Sequence, residues 1–239
     1  MVSFRLTLTL LNSGYSKRMT SAGQARRPYD AAGRRAQARA TRERILATAR
    51  ELFVARGYAP VSVAEVAAAA GVSAPTVFAG FRTKANLLRE ATETALVGDA
   101  EPVPLADRPA MRHVVAAPTA RELVERFAAL VAEAGPRVVP LYAVLHAAAD
   151  ADTELARLAR TLDEQRLAGA TRLATVVLER LGVPDPQRTD PDRLAEVRDT
   201  IWTFNSPQLW TLLVTGRGWS PQRYGRWAAR ALTALVAEP

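Results

Sequence analysis

The sequence predicts an all-α protein of about nine helices, with a three-helix unit near the N-terminus and a larger helical domain after it. From Thr41 onward apolar residues return every three or four positions. The stretches that carry this spacing open on Ser, Thr or Asp, several with Pro one or two residues later, where a helix start tolerates a missing N–H. Two of them, 62–70 and 73–81, are much shorter than the rest and are separated only by Gly71-Val72.

The first firm helix begins at Thr41, carries Ile45, Ala49, Leu52 and Phe53 as its apolar stripe, and ends at Gly57. Ser62 and Glu65 then form a capping box, in which each side chain satisfies a free backbone N–H. Val63, Val66, Ala67 and Ala70 follow at helical spacing, and Gly71 supplies a left-handed stop at little steric cost. Ser73 is a second N-cap, Pro75 sits in the first turn, and Val77, Phe78 and Phe81 form the next apolar face. Two short helices joined by a Gly-containing turn make a helix-turn-helix unit, whose second helix can enter the major groove of DNA.

From about Thr41 to Leu88 these residues resemble the tetracycline-repressor (TetR) family of bacterial transcription regulators. The resemblance rests on Phe53 and Gly57-Tyr58, Ser62, Val66-Ala67, Ala70-Gly71-Val72-Ser73, Thr76, Phe81, Lys84 and Leu87-Leu88. It implies a reading head at 39–84, a fourth helix linking it to a helical ligand-binding and dimerisation domain at 85–239, and Lys84 on a phosphate. It also implies a homodimer in which the last two long helices of each subunit pack across a two-fold axis. Where the family usually has a phosphate-contacting tyrosine this chain has Phe78, and the next two positions are Ala79 and Gly80. Base reading then falls to Ser73 and Thr76, with apolar contact from Ala74, Pro75 and Ala79 that suits thymine methyl groups. Arg39, Thr41, Arg42, Ser62 and Phe78 complete the expected DNA-binding set, and Arg44 joins them as a possible phosphate contact.

Charge agrees with this placement. Of the net +8, residues 1–90 hold 15 basic and 5 acidic groups, a net +10, which leaves residues 91–239 at −2. Such a field attracts a phosphate backbone and makes binding fall with salt. Charge by itself is equally met by a solvated face and a basic tail. Residues 1–38 read as a basic arm that is disordered when free, either lying in a minor groove or merely solvated. Met1–Leu11 is apolar but is followed by Lys17 and Arg18 rather than a cleavage site, so it does not read as a signal peptide, and Met19 is a candidate translation start.

The 239 residues are 49% hydrophobic without an unbroken run of 18 apolar ones, and they contain no cysteine, which excludes disulfides and thiolate metal sites and fits a reducing cytoplasm. After Thr83 the fourth helix carries Leu87, Leu88, Ala91, Ala95 and Leu96. Residues 98–118, with four prolines and no periodicity, read as a linker or ordered loop. Helices are then expected from Thr119 to Ala134, Pro136 to Ala149 and Thr153 to Leu181. Asp190 caps another, Asn205-Ser206-Pro207 bends the chain, and Ser220-Pro221 opens a final helix through Val236.

Six residues are candidates for a ligand wall: Phe127, Tyr142, His146, Gln165, Trp202 and Asn205. Gln165 interrupts the apolar stripe of its helix with an amide that must be paired if buried. Each of the six is also met by ordinary core packing, a subunit contact or a backbone partner. His146 and His113, without a cysteine or an acidic partner at ligand spacing, make no metal site.

The leading expectation is a cytoplasmic homodimeric repressor on a palindromic double-stranded DNA operator, released by a small-molecule effector. That effector is expected to be apolar or aromatic, since the candidate wall is aromatic and aliphatic, and the scarcity of basic groups near it argues against a highly anionic compound. A dimeric DNA-organising protein that needs no ligand is the alternative, and sequence-indifferent affinity would mark it. An enzyme is not expected, because no carboxylate pair, Ser-His-Asp order, phosphate loop or metal cluster appears, and no cofactor is called for.

Overall fold

The computed structural model describes residues 31–98 and 103–237, all of whose regular structure is helical. Residues 1–30, which hold Met1–Leu11, Met19 and most of the expected basic arm, lie outside the described residues. Four helices build the N-terminal part: α1 (Ala31–Arg56), α2 (Val63–Ala69), α3 (Ala74–Phe81) and α4 (Lys84–Val97). Seven follow: α5 (Pro109–Val115), α6 (Ala120–Ala149), α7 (Thr153–Arg180), α8 (Pro186–Thr189), α9 (Pro191–Phe204), α10 (Pro207–Trp210) and α11 (Pro221–Leu235).

Side-chain caps set most of these starts. Ser62, Ser73, Thr83, Thr119, Asp152, Asp190, Ser206 and Ser220 each accept a backbone N–H two or three residues on. The bend expected at Asn205 is present: α9 ends at Phe204, and Ser206 Oγ accepts the Leu209 N–H at 2.9 Å. From Trp210 the chain runs on into a π-helical turn, Thr211–Thr215, closed by the Gly216 N–H on the Thr211 carbonyl at 2.8 Å.

Three expectations are corrected. Residues 31–38 are helical, since Ala31, Ala32, Ala36, Ala38 and Ala40 extend α1 ten residues ahead of Thr41 on intrinsic propensity. The helices expected on either side of Gly135 are one, and α6 runs through both Pro136 and Pro140. An interior proline costs about 3 kcal/mol. Here Val138, Val139, Leu141, Tyr142 and Leu145 are all buried just beyond the break, and that packing outweighs the loss. Finally, 98–118 is not all loop: Leu105–Asp107 forms a 3-10 turn and α5 buries Val114, with Ala117 buried just after it.

Two apolar cores result. The first joins α1–α4 to the second half of α6, the first third of α7, Trp210 and the start of α11. The second lies at the far end and joins α5, the start of α6, the second half of α7, α9 and the end of α11. Helix α4 therefore has Leu87 and Leu88 fully buried in a core that belongs to the N-terminal unit and to α6 and α7 alike. By length and composition α6 is long and apolar enough to cross a bilayer, yet twelve of its residues are buried within the protein.

Candidate functional site

The N-terminal unit is assembled around the two short helices. Ser62 Oγ accepts the Glu65 N–H at 3.1 Å while Glu65 Oε2 accepts the Ser62 N–H at 2.8 Å, which completes the capping box. Arg56 adds a 2.9 Å bond to the other carboxylate oxygen. These bonds hold the Glu65 carboxyl down at about 2, from a usual 4.5, with the Ser62 backbone bond the largest cause. The end of α2 is tied to α1 by Arg44, whose Nε donates to the Ala70 carbonyl at 2.8 Å, so this arginine is occupied within the protein. Gly71, at φ +65°, turns the chain through a left-handed conformation, and the axes of α2 and α3 differ by 113°.

Helix α3 divides cleanly into two faces. Val77 and Phe81 are buried; Pro75, Thr76, Ala79 and Gly80 are exposed, and Ala74 is half-buried. Phe78, expected on the apolar face beside them, is 50% exposed instead, because the step from Val77 to Phe81 puts position 78 on the outer side of so short a helix. Ser73 caps the helix through the Thr76 N–H at 3.3 Å, and its hydroxyl lies 2.8 Å from that of Thr76. Ser62 is exposed at the start of α2, Thr41 is half-buried on α1, and Arg39 is exposed on the same helix.

Two further expected phosphate ligands are engaged inside the protein. Arg42 sits 4.5 Å over the Phe81 ring, donates to the Gly80 carbonyl at 3.5 Å and pairs with Glu90, so it ties α1 to the end of α3 and to α4. Lys84 lies 4.0 Å over the Tyr58 ring and donates to the Ala59 carbonyl at 3.2 Å. Partial burial lowers its ammonium pKa, partly countered by Asp152 and Glu65.

In the C-terminal part the structure brings together some of the candidate wall but not all. Tyr142 is buried and lies 6.2 Å, ring to ring, from half-buried His146 one turn on. Trp202 and Asn205 stand at the end of α9, both half-buried. Phe127 is buried in the far core, which Trp202 also packs against. Gln165 is exposed, so its amide needs no buried partner.

The residue that enters the interior at this level is its neighbour Arg166, whose side chain is only 9% exposed. Its guanidinium lies 4.4 Å over the Trp202 ring, and Nη1 donates to the Trp202 and Asn205 carbonyls at 2.7 and 3.4 Å. It thus satisfies carbonyls left free at the end of α9. Asp163 approaches Nη2 at 3.5 Å. Desolvation lowers the guanidinium pKa, and Asp163 is the chief opposing influence. Arg166 removes the ground for expecting few basic groups here. A +4 step from Leu162, in register with Ala159 and Ala170, points to it, whereas the +3 step leads to Gln165. A separate open groove of about 400 Å³ lies elsewhere, between the first turns of α6 and the end of α11, and is lined by Arg121, Glu125, Arg230 and Thr233 among others.

Comparison with known proteins agrees with the N-terminal geometry. The sequence model for "Bacterial regulatory proteins, tetR family" matches residues 45–91, the stretch that holds the second half of α1, all of α2 and α3 and the first half of α4. No curated protein matches the chain significantly. Among solved structures, one from Mesorhizobium loti assigned to the TetR family of transcriptional regulators is 19% identical, with a TM-score of 0.54 over 84% of this chain and 96% of its own. Another, from Rhodococcus sp. and assigned to the same family, is 15% identical, with a TM-score of 0.51 over 83% of this chain and 100% of its own. At such identities the likeness is one of fold.

Proposed function

We propose that this chain, whose residues 45–91 match the TetR family of bacterial regulatory proteins, is a DNA-binding transcription regulator of that family: a homodimeric repressor, held on a palindromic operator and released by a small molecule bound in its C-terminal domain. The observation that carries the reading is the outer face of α3. Pro75, Thr76, Phe78 and Ala79 stand exposed on a helix whose opposite side is locked into the core by Val77 and Phe81. A face so fixed can meet base edges with little loss of conformational freedom.

Dimerisation through the last two long helices, α9 and α11, with α10 and the π-helical turn between them, is supported by apolar residues left at the surface of that connecting segment and of α11. Leu212 is 61% exposed, and Leu209, Leu213, Val214 and Trp227 are half-buried. Two copies of α3 must then stand about 34–36 Å apart to read successive major grooves. Release needs a path from ligand to reading head, and α4 offers one. Thr83 at its start donates to Glu154 on α7 at 3.2 Å, and Arg137 on α6 donates to the Ala95 carbonyl near its end at 3.2 Å. A ligand that favours one arrangement of α6 and α7 therefore favours one tilt of α4.

The test is fluorescence anisotropy of the full chain on duplexes from its own upstream region, at two salt concentrations and against a scrambled duplex. Tight, salt-sensitive binding with a preference for the upstream sequence is expected. Equal affinity for both duplexes would favour a DNA-organising role and overturn the repressor reading.

A further inference from the structure

We infer that the effector is a small aromatic carboxylic acid and that Arg166 receives its carboxylate; this rests on the effector-released reading above and names the ligand class of that same domain. Among the described residues, three buried side-chain polar atoms lack a hydrogen-bond partner: Arg166 Nε, Trp202 Nε1 and His146 Nε2. They come from α7, α9 and α6, and α7 packs on both of the others. Arg166 and Trp202 are in direct contact, and Tyr142, within electrostatic range of Arg166, leads on to His146.

Two of these atoms can only donate, and the imidazole nitrogen donates in one of its tautomers. A buried donor left unpaired has lost its water without gaining a partner. An occupant rich in acceptor oxygens supplies that partner, whereas an amine adds a second positive charge beside the guanidinium.

The free edge of Arg166 makes the choice narrower. Nη1 is taken by two backbone carbonyls, while the edge formed by Nε and Nη2 holds only the 3.5 Å approach of Asp163, itself a third exposed. That edge carries two parallel N–H groups, the spacing a carboxylate accepts side-on. A carboxylate seated there compensates a guanidinium that is poorly compensated now. The Trp202 face and the Tyr142 ring supply apolar and aromatic walls for the remainder of the molecule. Because Nη1 stays bonded to the end of α9, the acid acts on the bend that leads into α10, the element proposed at the subunit contact.

The probes are benzoate, phenylacetate and indole-3-carboxylate, each beside its neutral amide, with benzylamine as the cationic control. Binding to the full-length protein is read by calorimetry and by tryptophan fluorescence. At least one acid is expected to bind at least about tenfold more tightly than its amide, with benzylamine weakest. Arg166→Met should abolish the preference and Arg166→Lys should retain part of it. If Arg166→Met fails to fold by circular dichroism, Trp202→Phe, which keeps an aromatic ring and removes the donor, should reduce acid binding while leaving the amide unchanged. Amides binding as well as acids, an Arg166→Met protein that keeps the preference, or no acid binding at millimolar concentration overturns the inference. Operator release is measured in parallel and separates the two readings. If an amide or benzylamine releases DNA and the acids do not, the acid class fails and effector control stands. Acids that bind through Arg166 without releasing DNA leave the site and remove the control.

Discussion

Gly135 and Trp210 share one space: a β-carbon built on the glycine would come within 2.3 Å of the indole ring. The contact seats α10 on α6 one residue before Pro136, and Trp210 in turn packs on Tyr224 of α11, their rings 4.9 Å apart. Gly135→Ala is therefore expected to destabilise the fold by about 1–3 kcal/mol, as overpacking of a tight core does. Gly169 on α7 is the control, since a β-carbon there meets nothing nearer than the Arg172 guanidinium at 4.0 Å. Gly169→Ala should be neutral or stabilising by up to about 1 kcal/mol. Urea denaturation of the two variants against the parent checks both.

The capping box of α2 has a pH signature. Glu65 is more acidic in the folded chain than the usual 4.5, at about 2, so its contribution is complete above pH 4.5 and disappears as pH falls toward about 2. Thermal melts of the parent and of Glu65→Gln should differ most at neutral pH and converge across that acid window. A difference that does not change with pH would mean that the Glu65 charge contributes nothing to the cap.

Phe78 should act as a contact to bases rather than as core. Phe78→Ala is expected to leave the unfolding free energy within about 0.5 kcal/mol of the parent, as surface changes do, and to weaken operator binding about tenfold. Replacing thymidine by deoxyuridine in the operator removes the methyl groups that an apolar reading face contacts. The parent should lose more affinity on that replacement than the variant, which keeps the methyl contacts of Pro75 and Ala79, and competition binding with the two duplexes measures the difference.

Leu212, the most exposed of the large apolar residues described, tests the subunit contact. Leu212→Glu should shift sedimentation from dimer to monomer and lower operator affinity with it, since each half-site is then bound alone. The helical signal in circular dichroism should be unchanged.

Much of this fold was legible in the sequence because its helix starts are chemical. Ser62, Ser73, Thr83, Thr119, Ser206 and Ser220 announce their helices through side-chain oxygens, and the family pattern around Ala70-Gly71-Val72-Ser73 needs no tertiary information. What failed depended on packing. Pro136 reads locally as a helix start and is overridden by the burial of Val138 to Leu145 on the far side. Arg42, Arg44 and Lys84 read as phosphate ligands from their charge and position, yet Phe81, Ala70 and Tyr58 claim them across the fold. Gln165 and Arg166 differ by one position on α7, and helical phase over so long an element is too loose to say which of two adjacent polar residues faces inward. Arg166 becomes visible as a site residue only once α9 is laid beside it.

The central claim is that the outer face of α3, in two copies, reads base edges. Selection of bound duplexes from a randomised pool, carried out with the parent and with Thr76→Asp, tests it most directly. The parent is expected to select an inverted repeat with half-sites about one duplex turn apart, and Thr76→Asp, still folded and dimeric, to select none. A Thr76→Asp protein that recovers the same repeat, or a parent that enriches no sequence at all, would contradict it.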